Sequence, residues 1–391
     1  MSQLLNERWS ETKDALLEGL SGIRKSSMNV CLENTRRYLS ESATAGSTSA
    51  GNIATLNRVI LPVIRRVMPT VIANEIIGVQ PMTGPVGQIH TLRVRYADSG
   101  DNVVQGEEAL SPFKIASAYS GNNVDNNPKA NTTSVLEGTP GKRMSIQILK
   151  APVEAKSRKL SARWTFEAAQ DAQAQQGIDI EAEIMAALAQ EITAEIDQEI
   201  LSSLRGLASV EQTYDQSLVS GTATFVGDEH AALAIQINRV ANLIAQRTRR
   251  GAANWAVVSN QALTILQSAT TSAFARTTEG TFEAPTNTKF VGTLNGAMRV
   301  YVDAYLADSV DANQVLVGYK GTSEADAAAF YCPYIPLMSS GVVLDPNTFE
   351  PVVGFLTRYG YVELSNTASS LGNAADYLGK VAITSATVSF K

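Results

Sequence analysis

Apolar and polar positions divide this chain into a few long elements. Between Ile184 and Leu204 apolar residues recur at every fourth position, which predicts one long helix with Asp179 as its N-cap. From Gln88 to Tyr96 apolar and polar residues alternate, which predicts a strand, and "MSIQILK" at 144–150 predicts another. The two strands bracket a long polar segment, so the pattern predicts an extended hairpin that reaches away from the body.

The remainder of the pattern indicates a mixed architecture. A short amphipathic helix is predicted within residues 3–25, and a small, polar stretch at 40–57 is typical of a flexible arm. Helices and strands then alternate between about 225 and 340, as in a compact α/β-like unit. The chain ends in predicted strands at 327–337, 351–364 and 380–390. Together these elements favour an α+β fold class.

Composition changes this picture in one respect, the surface. The chain has 391 residues, 44% hydrophobic and only 18% charged, so much of its surface is expected to be buried against partners, although an ordinary Ala-rich enzyme has a similar composition.

The net charge and the cysteines bear on the partners and the compartment. A net charge of −6 argues against direct binding of nucleic acid. Neither a membrane span nor a signal peptide is indicated, and two distant cysteines fit a reducing compartment.

Candidate chemistry is sparse. The two histidines, His90 and His230, lack the sequence partners of a catalytic triad or a zinc motif. The stretch "GTPGKR" at 138–143 lacks the first glycine and the Ser or Thr of a phosphate-binding loop, so a plain turn is favoured. The glutamates at 191, 195 and 199 are interpreted as a solvated helix face in preference to a metal channel. We therefore predict no enzyme activity, no cofactor and no metal.

Several collinear motifs carry a resemblance. The first is the segment "VIRRVMPTVIANEIIGVQPMTGPVGQIHTLRVRY". It is followed by the block "VEAKSRKL" with "FEAAQD" before the acidic helix, and then by "VGYKG", "YCPYIPL" and "DPNTFEPVVGFLTRYG". They closely resemble the major capsid proteins of T-even-like myoviruses, which are tailed phages. The resemblance covers roughly 57–96, 153–206 and 227–364.

This resemblance implies the HK97-like capsid fold. It divides the chain into an N-terminal arm (1–56), the first part of a peripheral domain (57–96), an extended loop (97–152), the peripheral domain with its spine helix (153–220), an axial domain (221–345) and C-terminal peripheral strands (346–391). The turn-rich joint at 78–87 would then set the angle between the body and a loop that overlaps an adjacent subunit.

The implied function is structural. Copies of the chain would form the hexamers and pentamers of an icosahedral head shell, assembled in the bacterial cytoplasm, that encloses double-stranded DNA without sequence-specific binding and without a membrane. Portal and scaffold proteins, a prohead protease and a decoration protein are the further partners. The alternatives are a vertex protein of the same fold, an encapsulin-type compartment shell and, last, an α+β enzyme.

The resemblance also implies a processing site. Capsid proteins of the family are cut by a viral protease after a hydrophobic-x-Glu pattern. Leu39-Ser40-Glu41 followed by Ser42 fits that pattern just before the flexible arm. Cleavage between Glu41 and Ser42 is therefore a hypothesis.

Four basic residues are candidate inter-subunit contacts. Arg93 and Arg95 share one face of the predicted strand and could pair with acidic helices of a neighbour. Lys156 and Arg158 could do the same at the base of the loop. For each of the four, an intramolecular or solvated charge is the alternative.

Overall fold

Most of the chain is described by a computed structural model. It describes residues 25–34, 71–100, 103–107, 118–124, 127–138, 140–176, 179–215, 226–248, 250–268, 274–276, 288–303, 314–324, 326–348, 350–364 and 374–385, with single positions at 9, 13, 17, 22, 109, 305 and 306. Within these ranges the architecture is mixed, with two sheets, a long helix and a projecting hairpin.

The helices and strands have the following bounds. The helices are α1 (25–34), α2 (Ala73–Ile76), α3 (Thr133–Leu136), α4 (Phe166–Gln176), α5 (Ile180–Leu207), α6 (Val226–Thr248) and α7 (Asn260–Ser268), with a 3₁₀ turn at Ala374–Tyr377. The strands are β1 (Gly78–Val79), β2 (Val86–Tyr96), β3 (Asn122–Val124), β4 (Asn127–Lys129), β5 (Met144–Glu154), β6 (Lys156–Arg163), β7 (Val210–Asp215), β8 (Trp255–Val258), β9 (Phe274–Arg276), β10 (Thr288–Leu294), β11 (Met298–Asp303), β12 (Gln314–Gly318), β13 (Ala329–Leu344), β14 (Pro351–Glu363) and β15 (Leu378–Ser385).

The predicted long helix is confirmed as α5. It has 28 residues and therefore a length of about 42 Å. Asp179 caps it as predicted, because its side chain accepts a hydrogen bond from Glu181 N at 3.1 Å. The apolar stripe faces the larger core cluster, in which Ile192, Ile196 and other members of the stripe are buried.

That core cluster lies between α5 and a four-stranded sheet. The strand order is β1-β13-β14-β6, with β1 parallel to β13 and the other pairs antiparallel. Alternate residues of β14, such as Val353, Phe355 and Tyr359, point into the core, as the two-residue period of a strand requires.

A second, seven-stranded sheet forms the compact unit predicted in the second half of the chain. Its order is β7-β15-β12-β8-β11-β10-β9. The apolar faces of α6 and α7 cover it and share a separate core cluster with β8, whose four residues are all buried. A strand that is buried on both faces reads as a continuous apolar run, as in "WAVV".

The predicted hairpin is confirmed as β2 paired with β5. The register runs without a break from Val86–Glu154 at its base to Tyr96–Met144 at its far end. Eleven residues in each strand give the hairpin a length of about 35 Å. Beyond its far end the structure adds β3, β4 and α3, together with a small apolar cluster around Tyr96 and Tyr119, none of which the polar sequence predicted.

The segment 72–79, which leads into the predicted joint at 78–87, is fixed at both ends. Ile72 N donates to Asp197 of α5 at 2.9 Å, and Val79 N donates to Glu324 at 2.8 Å. The segment between them, including Ile77, is buried in the larger core cluster. The base of the hairpin therefore has a defined orientation relative to the body.

Helix α1, which lies within the segment 1–56 expected to be the N-terminal arm, packs into the core of the body. Cys31 and Leu32 are fully buried in the larger core cluster. The Asn34 amide donates to the main-chain oxygens of Met82 and Tyr334, at 2.7 and 3.1 Å. The sequence predicted a helix only up to residue 25, so the packed part of this segment was missed.

A buried ion pair connects α5 to the seven-stranded sheet. Arg205 on α5 contacts Asp303 at the end of β11 at 2.7 Å, and Gln198 donates to the same carboxylate at 2.8 Å. Helix α5, which packs on the larger core cluster, is therefore also bound to the seven-stranded sheet. Among the helices of the described ranges, none combines the length and the apolar character that crossing a bilayer requires.

Candidate assembly surfaces

The predicted basic residues lie in three different environments. Arg95 lies on β2 of the hairpin, whereas the Arg93 side chain and the proposed cleavage site at Glu41 and Ser42 are outside the described part of the chain. Lys156 is exposed at the start of β6.

Arg158 forms ion pairs within its own chain. Its guanidinium contacts Glu195 at 2.6 Å and Glu199 at 2.5 Å, and its Nε donates to the hydroxyl of Tyr359. The two glutamates are four residues apart on α5, so one arginine reaches both. Arg158 thereby holds β6 and the base of the hairpin against the long helix.

This cluster shifts the acid–base behaviour of its members. Burial acts to raise the pKa of Glu199, but hydrogen bonds from Arg158 and Tyr359 outweigh it and hold the pKa of this carboxyl below its usual range. Burial, together with the hydrogen bond to Glu199, raises the pKa of Tyr359. Glu199 is therefore ionised and Tyr359 neutral at physiological pH, as the ion pair requires.

The hairpin exposes an apolar strip that the sequence did not predict. Met144, Ile146 and Ile148 alternate along β5 and share one face, and their exposed fractions are 53, 68 and 61%. We call these three residues the hairpin strip. Apolar alternation normally indicates a half-buried strand, but here no element among the described residues covers the strip.

A second exposed apolar surface lies at the far end of the four-stranded sheet and includes both of its faces, because consecutive residues of a strand point to opposite sides. Leu344 pairs with Pro351, whose oxygen accepts a hydrogen bond from Trp164 N, so the turn after β13 and the start of α4 are adjacent. We call this surface the sheet tip. Its members, all 42–57% exposed, are Phe166, Val342, Val343 and Leu344.

No arrangement typical of a catalytic site appears at either surface. His90 is exposed on the hairpin, and the buried His230 forms a hydrogen bond with Ser268 Oγ. Of the three glutamates considered for a metal channel, Glu195 and Glu199 pair with arginine. Across the described ranges, no group of three or more His, Cys, Asp or Glu is arranged to hold a metal ion.

The sequence of this chain matches a known family of proteins. The family described as "Major capsid protein Gp23" matches residues 53–383 of this chain. The chain belongs to this family. It is therefore a structural protein that forms the phage head shell and is part of the virion, which confirms the resemblance.

Individual relatives agree with the family. The chain is 29% identical to the major capsid protein of Vibrio phage KVP40, covering 85% of this chain and 81% of that protein. It is 28% identical to that of Enterobacteria phage T4, covering 83% and 78%. Among solved structures it is similar to the capsid of Myoviridae phage XM1, with a TM-score of 0.42 and 11% identity over 78% of this chain and 89% of that one. It is also similar to the mature capsid of bacteriophage PhiM1, with a TM-score of 0.45 and 11% identity over 78% and 83%.

Proposed function

We propose that this capsid protein has the HK97-like fold and builds both hexamers and pentamers. In this proposal residues 1–56 are the arm, 57–96, 153–220 and 346–391 form the peripheral domain, 97–152 are the extended loop and 221–345 form the axial domain. The proposal is supported by the long helix against one sheet, by the separate seven-stranded sheet and by the hairpin between 86 and 154.

The hairpin strip is the observation that carries this proposal. Three large apolar side chains on a solvent-facing strand have a free-energy cost in water that burial against another molecule removes. A hairpin of about 35 Å reaches well beyond the surface of its own body. The hairpin therefore packs on a second copy, and many such modest contacts acting together stabilise a closed shell.

Substitution within the strip tests this function. Ile146→Asp places a charge in the contact and is expected to abolish shells while the subunit stays folded, because Ile146 contributes little to its own core. The matched control is Gln147→Asp, which changes the exposed neighbour on the opposite face of β5. Electron microscopy counts the shells and circular dichroism checks the fold. Normal shells from Ile146→Asp would contradict the proposal.

The basic residues on and near the hairpin are proposed to contact neighbours. Arg93, Arg95 and Lys156 are the candidates that follow from the sequence, whereas Arg158 already has two carboxylate partners in its own chain. Arg95→Glu is expected to lower the yield of particles more than the solubility of the subunit. Arg95→Gln serves as the control that removes the charge without reversing it, and undiminished particles from Arg95→Glu would contradict the pairing.

Processing between Glu41 and Ser42 is also proposed. Such a cut would separate α1 from the rest of the chain, although Cys31 and Leu32 are buried in the core. The fragment is therefore expected to stay bound until the body unfolds or rearranges. Denaturing mass spectrometry of virions should give a polypeptide that begins at Ser42, and a mature protein of the full 41.7 kDa would contradict the cleavage.

The remaining partners follow from the same role. A portal protein and a scaffold protein are the partners proposed for assembly, and a prohead protease and a decoration protein complete the proposed set. The enclosed double-stranded DNA is held without sequence-specific contacts, in agreement with a net charge of −6, since a strongly basic lining would bind the packaged DNA.

A further inference from the structure

Strand β6 forms one edge of the four-stranded sheet. It pairs with β14 on one side only, and its register, from Lys156–Tyr359 to Arg163–Val352, contains no bulge. Along the other side of its eight residues, none of the described strands pairs with it. A straight, unpaired edge of this length offers main-chain N–H and C=O groups to one further strand.

Two neighbouring hydrogen bonds show which main-chain groups of β6 point to the free edge. Trp164 N donates to Pro351 O at 3.2 Å, on the β14 side, and Ala155 N donates to Pro85 O at 2.9 Å, on the opposite side. The direction alternates with every residue of an antiparallel ladder. The groups that point to the free edge therefore belong to the odd-numbered residues of β6, which are Ser157, Lys159, Ser161 and Arg163.

The side chains of these four residues also share one face of the sheet. All four are exposed, whereas Leu160 and Ala162 pack against the larger core cluster on the opposite face. Lys159 and Arg163 are four residues apart, so their charges lie on either side of Ser161. The whole strand contains four Lys or Arg and no Asp or Glu, in a chain with a net charge of −6.

A groove crosses the exposed face from β6 over β14 to β13. Gly354 lies opposite Ser161 in the register, so two small residues leave a low point beside the larger pair Leu356–Lys159. The groove has a volume of about 410 Å³. Its lining includes Lys159, Ser161, Met338, Ser340, Gly354 and Leu356. The groove can therefore receive an apolar side chain from a strand that lies along β6.

We propose that β6 binds an extended segment of a separate protein, which adds a fifth strand to this sheet. The segment carries one acidic residue opposite Lys159, another opposite Arg163 and an apolar residue between them, opposite Ser161. Main-chain hydrogen bonds supply affinity, and the alternate side chains select the sequence. The proposal concerns an edge of the single subunit, so it does not depend on how copies of the chain contact one another.

Charge explains why the fifth strand should not come from a second copy of this chain. Two β6 strands side by side would bring their lysines and arginines together, which is unfavourable. Among the strands of the described ranges, only β7 has two acidic residues four positions apart, Glu211 and Asp215. Glu211 is already paired with Arg247 at 2.6 Å, so β7 is not available.

A labelled synthetic peptide tests the site on the full-length chain. The probe has nine residues, with glutamate at the third and seventh positions, valine at the fifth and threonine elsewhere. Fluorescence anisotropy should show saturable binding of this probe to the subunit. A subunit that does not bind the probe would overturn the proposal.

Two control peptides separate strand addition from simple charge attraction. The first has lysine in place of both glutamates. The second keeps every side chain but is methylated on the main-chain nitrogens of the fifth and sixth residues, so it loses an edge donor in either strand direction. Both should bind at least about tenfold more weakly than the probe. Equal binding of the methylated peptide would mean that charge alone holds the probe, and this would overturn strand addition.

A charge reversal on β6 tests the selectivity. Lys159→Glu with Arg163→Glu should weaken binding of the glutamate peptide at least about tenfold and should give binding of the lysine peptide instead. Both side chains are exposed, so the subunit should stay folded, which circular dichroism checks. The matched control is Lys129→Glu with Arg239→Glu, which changes the net charge equally at exposed positions on other elements and should leave probe binding unchanged.

Hydrogen exchange locates the bound probe. The amides of Lys159 and Ser161 should exchange more slowly when the probe is bound, whereas those of Leu160 and Ala162 already face β14 and should change little. Protection elsewhere without protection at Lys159 and Ser161 would overturn the proposal. If Lys159→Glu with Arg163→Glu abolished shells formed without any added peptide, the edge would serve contacts between copies, and this would also overturn the assignment to a separate protein.

Discussion

The buried ion pair between Arg205 and Asp303 should be one of the most sensitive points of the subunit. The Arg205 side chain is 8% exposed and that of Asp303 is fully buried, so Arg205→Met leaves a carboxylate without its counter-ion in the interior. Breaking a buried pair in this way costs about 3–5 kcal/mol. Hydrogen bonds from Gln198 and from Tyr305 N still reach Asp303, so we expect a loss near the lower end, about 3 kcal/mol.

A loss of about 3 kcal/mol raises the unfolded fraction roughly a hundredfold. Urea unfolding of unassembled subunits, followed by tryptophan fluorescence, measures the free energy of unfolding. The control is Arg163→Met, since the Arg163 side chain is 67% exposed and 3.8 Å from Glu350. This control should change stability by less than about 1 kcal/mol.

A double variant separates the lost pair from the charge that remains. In Arg205→Met with Asp303→Asn, the buried charge is gone while the amide oxygen still accepts the hydrogen bond from Gln198. Most of the lost stability should return. If Arg205→Met were no less stable than Arg163→Met, the argument that burial makes this pair important would be refuted.

Three further predictions concern the body of the subunit. Burial raises the pKa of Cys31 and of Cys332 to about 12. A disulfide reagent at about pH 8 should therefore modify neither thiol in the folded subunit, and it should modify both in urea. Rapid modification without urea would contradict this prediction. For Glu199, burial acts to raise the pKa, but the hydrogen bonds from Arg158 and Tyr359 lower it overall. The ionised Glu199 therefore stabilises the folded state at pH values above the ordinary glutamate pKa. This stabilisation is lost as the pH falls through the lower pKa of the folded state. The stability difference between wild type and Glu199→Gln should therefore shrink as the pH falls below the ordinary glutamate value of 4.5, and a constant difference would count against the shift. Asn34→Ala leaves two main-chain carbonyl oxygens without this donor and should lower the free energy of unfolding by about 1–3 kcal/mol, whereas an unchanged urea midpoint would show that α1 does not stabilise the hairpin base.

The sequence predicted the elements whose periodicity is local. The stripe of α5 and its cap at Asp179 depend on neighbours within one or two turns, and both are confirmed. The two strands of the hairpin are confirmed for the same reason. The pairing of β1 with β13 joins residues about 250 positions apart, and nothing in either local pattern specifies it.

The candidate surfaces were harder to predict. Alternation along "MSIQILK" identifies a strand but does not tell which side is covered, since covering depends on elements that are distant in sequence or belong to another molecule. Arg158 shows the same limit, because its partners Glu195 and Glu199 lie on a different element. The sequence did contain one indication that the strip is exposed, since Lys142, Arg143 and Lys150 flank it with no acidic residue between them.

Electron microscopy of the native material from which the unmutated protein is isolated tests the central claim most directly. The account predicts closed icosahedral shells in which this chain is the dominant protein, with the hairpin of each copy lying on its neighbour. A discrete small oligomer as the dominant form of this chain, with no shell in that material, would contradict the account.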